Sequence, residues 1–199
     1  TNEIHHLDLI NKAIVDKKIE NIKIIYRPHP WGQGGIGGHK LIDKKWEHVS
    51  IDKSMINYLK EIKSGNKKKF MANYYDTHEI LTNVDAVISP LSTILIEAAI
   101  HGKPSLCFLP YSDTSLHFRI DVELIHFKEF FKKENFLKAY GYDELLFQIN
   151  NLIKLSKKAN IDTIMKNESK YFVKQFQNSF SYRLNQFIEK ITKVSENQR

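Results

Sequence analysis

Leu7, Ile10 and Ile14 recur at helical spacing, and the pattern predicts a first helix over residues 5–19. β-Branched residues then crowd residues 21–26 (Asn-Ile-Lys-Ile-Ile-Tyr), which predicts a strand. It stops at Arg27-Pro28-His29-Pro30, where two prolines forbid further ladder pairing. A glycine-rich loop over residues 31–39 precedes a second strand over 47–51 and a helix around 54–63. Residues 65–69 read as a charged turn and 70–75 as a short strand. Asp76 is positioned to cap a helix over 76–83, with Glu79 three residues on completing a capping-box pattern. Residues 86–89 form a short apolar strand, 93–101 a helix stopped by Gly102 and Pro104, and 105–109 another strand.

Beyond residue 110 the period fades. Residues 110–142 read as irregular and aromatic, carrying Phe118, Phe127, Phe130, Phe131 and Phe136. An amphipathic helix over 143–155 sets Leu145, Leu146, Ile149, Leu152 and Ile153 on one side. The last 30 residues read as helical, with a stripe of Phe172, Phe176, Phe180, Leu184, Phe187, Ile188 and Ile191. That stripe needs a surface to cover: its own domain, or a missing domain or partner. Strands alternating with helices predict an α/β, Rossmann-like parallel sheet with helices on both faces, followed by C-terminal helices. The expected division is a Rossmann-like domain over 1–160 and helices over 161–199 that pack on it or on a missing domain.

Composition narrows the partners. The 199 residues are 42% hydrophobic with a net charge of +7, which suits a globular chain that meets phosphates, nucleotides or anionic lipid. The lysines are scattered and the Lys67-Lys68-Lys69 run is short, so nucleic acid is not expected as a partner. Cys107 is the one cysteine and sits in an apolar run as a small hydrophobe. No apolar stretch approaches a membrane span, and no signal-peptide pattern opens the chain. The expected compartment is the cytoplasm, at the inner face of a membrane where peripheral contact suits the charge. No His-Glu-x-x-His, paired-cysteine or Asp-x-Asp spacing occurs, so neither a metal nor a bound cofactor is expected.

In a parallel α/β sheet ligands bind beyond the carboxyl ends of the strands. Two unusual clusters fall at such ends. Ser89, Ser92 and Thr93 stand where a strand gives way to a helix, with Ser92 the expected N-cap; a cap needs one hydroxyl and here there are three, which points to phosphate. Glu97 is the one charge in an otherwise apolar helix and shares a face with Thr93, a placement that suits ribose hydroxyls. Arg27 suits bidentate recognition of phosphate, and His29 suits donation to a phosphate oxygen or proton transfer to a leaving group. Gly32-Gln-Gly34-Gly-Ile-Gly37 satisfies a dinucleotide expression, but prolines part it from the strand and no room follows for a crossover helix, so a loop beside the site is expected. His5-His6 reads as a solvated helix start, while His117 and His126 are candidates to approach a base or sugar.

The combination of strand plus Arg-Pro-His-Pro with Asp85-Ala-Val-Ile-Ser-Pro-Leu-Ser-Thr-Ile-Leu-Ile-Glu97-Ala-Ala-Ile-His-Gly-Lys-Pro104 resembles the C-terminal domain of GT-B-fold glycosyltransferases. It is most similar to bacterial enzymes of surface polysaccharide assembly: sialyl- and Kdo-transferases of capsule and lipopolysaccharide, and CDP-glycerol glycerophosphotransferases. The resemblance covers about residues 20–110, with Tyr171-Phe172 and Arg183 fitting the closing helices. It implies that Arg27, His29, Ser89, Ser92 and Thr93 hold the donor's phosphate, that Glu97 holds its ribose, and that His29 is catalytic. The implied donor is a nucleotide-sugar or CDP-polyol, and the implied acceptor a glycan or a lipid-linked acceptor. Such enzymes place the acceptor site in an N-terminal Rossmann-like domain, which these residues do not supply. Thr1 stands where a Met would open a complete chain, so the expectation is one half of a longer enzyme. The alternatives are a non-catalytic nucleotide or phospho-ligand module and a domain like the nucleotide-sugar 2-epimerases.

Overall fold

The computed structural model describes residues 3–28, 38–65, 73–111, 116, 119, 123–174 and 176–196. In chain order the described elements are α1 (Glu3–Val15), β1 (Ile24–Tyr26), a 3₁₀ turn (Gly38–Asp43), β2 (Val49–Ile51), α2 (Lys53–Lys63), α3 (Tyr74–Asn83) and β3 (Val87–Ser89). They continue as α4 (Ile94–Ile100), β4 (Ser105–Leu109), α5 (Ile125–Phe131), β5 (Phe136–Tyr140), α6 (Gly141–Ser156), α7 (Ile161–Phe172) and α8 (Phe180–Glu196). The architecture is α/β and Rossmann-like. β1 and β2 form one parallel pair, with Ile24 opposite Val49 and Tyr26 opposite Ile51. β3, β4 and β5 form a second parallel sheet in that order, with Ser89 opposite Cys107 and Leu109 opposite Tyr140.

β4 explains the layering. All five of its residues are buried, because strand alternation sends them to two covered faces. Leu106 and Phe108 join Ile10, Ile14 and Ile19 from α1 and its exit, and Leu145, Ile149 and Leu152 from α6. Cys107 and Leu109 join Leu95 and Ala99 of α4, Phe130 of α5, Phe136 of β5 and Met165 of α7. Helices therefore cover both faces. A third cluster, with Leu7, Leu41, Val49 and Leu59 at its centre, packs around the β1–β2 pair. Ile24 packs against both the first and the third cluster and so ties the two sheets together.

Several boundaries differ from expectation. α1 ends at Val15 rather than at 19, because Lys17 adopts a left-handed conformation (φ 57°) and the Lys18 N–H returns to the Ala13 carbonyl. The helix expected at 76 starts at Tyr74, which removes residues 74 and 75 from the expected strand over 70–75; residues 70–72 lie outside the described set. Its cap is Asn73, not Asp76: the Asn73 Oδ1 accepts from the Tyr75 N–H at 3.0 Å, leaving Asp76 inside the first turn. The stretch 110–142 is not irregular throughout, since it holds α5 and the sheet strand β5. Lys138 broke the apolar run of β5 in sequence; its ammonium donates to the Phe131 carbonyl and lies over the Phe131 ring. The final stripe also divides. Phe172 ends α7 and packs on the core, whereas the large apolar residues of α8 stand exposed.

Gly102 carries the turn from α4 into β4. Its φ of +75° lies in the left-handed region, and a Cβ there would sit 2.9 Å from the Asp162 Cα at the start of α7. Gly102→Ala combines backbone strain with a clash against a backbone that cannot yield. It should lower unfolding free energy by at least about 1–3 kcal/mol in urea denaturation. An unchanged midpoint would mean that α7 does not pack here.

Candidate functional site

The first turn of α1 brings the carboxyl ends of both sheets to one edge. Glu3 accepts a very short hydrogen bond from the hydroxyl of Tyr26, the last residue of β1. One turn on, the His6 ring meets Phe108 of β4 edge-on at 5.1 Å, and His6 Nε2 lies 2.6 Å from the hydroxyl of Tyr142 at the start of α6. β1 and β4 therefore end within one helical turn of each other. Burial, reinforced by Glu3, raises the Tyr26 pKa well above the ordinary phenol value and keeps it protonated. Burial first, and the neighbouring His5 second, hold His6 below its ordinary value. In the neutral ring Nε2 accepts the Tyr142 proton or donates to that oxygen, according to the tautomer. His5 packs edge-on against Tyr142 with centroids 5.2 Å apart. The expectation of a solvated His5-His6 pair is thus corrected for His6, which is half-buried; only His5 is exposed.

Ser89 is the last residue of β3, at the carboxyl end of its sheet. Its Oγ lies 3.1 Å from the Ser92 Oγ, and Thr93 Oγ1 donates to the Glu97 carboxylate at 3.4 Å. Ser92 is not the cap of α4. The cap position is Thr93, whose own φ and ψ are already helical (−61°, −21°), and no side chain caps the helix. The Ser89 and Ser92 hydroxyls bond each other, and the Thr93 hydroxyl bonds Glu97, rather than the helix N–H groups. Glu97 is half-buried, less enclosed than its apolar neighbours suggested. On the same face one turn further, His101 Nδ1 lies 2.9 Å from the Glu97 carbonyl and must donate to it. His101 Nε2 faces His78 Nδ1 of α3 at 2.9 Å.

Arg27 follows β1 and is not free on every side. Its Nε faces the buried Asp52 at 3.5 Å, and Asp52 also accepts from the Ser54 N–H and hydroxyl at the start of α2. The Nη1 of Arg27 is buried with no hydrogen-bond partner among the described residues. A fork fully open for bidentate phosphate is therefore not what the geometry presents. His29, the loop from Gly32 to Gly37, Lys67 to Lys69 and His117 lie outside the described residues, as does the side chain of His126.

The sequence reading passed over Glu3, His6, Tyr26, Asp52, Phe108 and Tyr142. Placement at a strand end marks Tyr26 beside Arg27, Asp52 after β2, Phe108 in β4 and Tyr142 after β5, whereas Glu3 and His6 lie on α1, where no local pattern sets them apart. Among the described residues no group of three or more His, Cys, Asp or Glu side chains could hold a metal, and no helix is long and apolar enough to cross a membrane. Comparison with family models, with curated proteins and with solved structures finds no match to this chain.

His6 gives the site a pH signature. Its folded pKa lies below the unfolded value of 6.5, so the unfolded chain binds the extra proton first. The stability this neutral imidazole contributes is complete above that pH and is lost as pH falls through 6.5 toward the folded value. His6→Phe should flatten that limb of a urea stability profile between pH 7 and pH 5. An identical slope in the variant would remove His6 from the titration.

Proposed function

We propose that this chain is the donor-binding half of a glycosyltransferase-like enzyme. It takes a nucleotide-activated sugar or polyol phosphate, with CMP or CDP as the favoured nucleotide, and passes the activated group to a glycan or lipid-linked acceptor. The observation that carries the reading is the hydroxyl trio Ser89, Ser92 and Thr93 at the carboxyl end of β3, none of it spent on capping α4. Hydroxyls that face each other at a strand end can turn to an incoming phosphate without uncovering a helix terminus. The sequence resemblance over residues 20–110 gives the same positions the same task.

In this reading Ser89, Ser92 and Thr93 donate to the donor's phosphate oxygens, and the Glu97 carboxylate accepts from ribose hydroxyls. The Thr93–Glu97 bond gives way to those partners. Displacement occurs at the activated carbon or phosphorus, with no metal required by the residues named. The charge of the departing phosphate is met by the hydroxyls and by His29, which supplies a proton or a hydrogen bond. Arg27, held by Asp52, contributes positive charge from behind this edge. The acceptor site belongs to a second domain, so these 199 residues bind donor nucleotide and turn over nothing.

Titration with CMP, CDP, UDP and a short DNA at two salt concentrations tests the reading. Expected is saturable binding of one nucleotide, weakened about tenfold in Ser89→Ala/Ser92→Ala, which corresponds to roughly 1.4 kcal/mol. Strong, salt-dependent DNA binding without nucleotide preference would contradict it. In an enzyme carrying both domains, His29→Ala should reduce turnover by about a hundredfold or more, the scale of general acid–base assistance. Turnover equal to the unaltered enzyme would deny His29 a catalytic part.

A further inference from the structure

α8 differs from every other described helix. From Phe180 to Thr192 each side chain is exposed, except half-buried Arg183. Phe180, Leu184, Phe187, Ile188 and Ile191 fall within about a third of the helix circumference, and the three that project furthest remain 72%, 60% and 53% exposed (Phe180, Phe187, Ile191). A shallow open depression runs along the helix, lined by Phe180, Leu184 and Phe187 together with Arg183, Gln186, Glu189 and Lys190. The apolar surface continues before the helix: Phe176 lies under the Arg183 guanidinium, which stands 3.2 Å from the ring centroid. Val173 and Tyr171 are exposed beyond it. A helix of this length is marginal in water without a surface to cover.

Charge selects the surface. Residues 170–196, through the end of α8, carry five basic side chains, Lys170, Lys174, Arg183, Lys190 and Lys193, against two acidic ones, Glu189 and Glu196. By helical spacing Glu189 and Glu196 lie away from the centre of the apolar stripe, although Glu189 still borders the depression, whereas Arg183 and Lys190, seven residues apart, lie in one row along its rim. A second copy of this chain would bring the same cationic excess to the contact. We propose instead that α8 lies in the interface of an anionic lipid bilayer. The phenylalanine and isoleucine face enters the acyl boundary, and Arg183 and Lys190 reach the headgroup phosphates with their aliphatic stems along the apolar rim. The proposal rests on α8 and its approach alone and does not depend on the nucleotide reading, so a failed nucleotide titration leaves it standing.

Flotation of the 199-residue chain with phosphatidylcholine vesicles, and with vesicles one third phosphatidylglycerol, tests it, alongside sedimentation equilibrium without lipid. Expected is partitioning onto the anionic vesicles at least about tenfold stronger than onto the neutral ones, falling as salt rises. Phe180→Ser/Phe187→Ser should abolish it while leaving the urea midpoint unchanged, since both rings are solvent-exposed. Arg183→Gln/Lys190→Gln should remove the preference for anionic lipid and keep the residual neutral binding. Absence of binding to either vesicle, or equal binding to both, would overturn the proposal. So would a dimer in sedimentation, broken by Phe187→Ser and accompanied by no flotation, which would assign the face to a second copy.

Discussion

The burial of β4 on both faces is the constraint on which the rest depends. Five consecutive residues are buried, so Leu106, Cys107, Phe108 and Leu109 must each be matched by apolar atoms from elements above or below the sheet. That requirement draws α1 and α6 to one side and α4, α5 and α7 to the other. It also forces short connections. Gly102 turns α4 directly into β4, and its missing Cβ admits the Asp162 backbone at the start of α7. Burying side chains of this size contributes roughly 1.5–3 kcal/mol each, far more than any single surface ion pair in the molecule.

Because β4 fixes the helices, it also fixes what meets at the carboxyl edge. Ile10 and Ile14 of α1 share one cluster with Leu106 and Phe108, and the first turn of α1 meets the strand ends. Glu3 then reaches Tyr26, and His6 reaches Phe108 and Tyr142. Ser89 ends its strand opposite Cys107 of β4. The edge thus gathers hydroxyls, a neutral imidazole and two protonated phenols whose ionisation burial opposes. The serine hydroxyls and the His6–Tyr142 pair exchange partners with an incoming polar ligand at small electrostatic cost, whereas Tyr26 is tied to the Glu3 carboxylate and Arg27 to Asp52.

Local patterns made much of the fold legible in sequence. The strand Ser105–Leu109 was readable because double burial makes a continuous apolar run, and α4 because Gly102 and Pro104 mark its end. β5 was hidden because Lys138 interrupts it, and the reason it can sit there, its bond to the Phe131 carbonyl, exists only in the folded chain. The Asn73 cap was missed because Asp76 offers the same chemistry three residues later. For the site, the hydroxyl cluster was visible as an excess over what a cap needs. The His6–Tyr142 contact spans 136 residues and the Arg27–Asp52 pair joins two strand ends, so neither leaves a local trace. The exposure of α8 was equally invisible, since an apolar stripe reads the same whether it is covered or bare.

The central claim is that the carboxyl edge of the sheet is where this chain meets a nucleotide's phosphate. The most direct measurement is amide chemical-shift mapping of the isotope-labelled chain during titration with CMP, CDP and UDP. The perturbed amides should cluster at Ser89, Ser92, Thr93 and Glu97 and at the ends of β1 and β4, with α8 and the amino ends of the strands unmoved. Perturbations confined to α8 or to the amino edge, or none at saturating nucleotide, would contradict it.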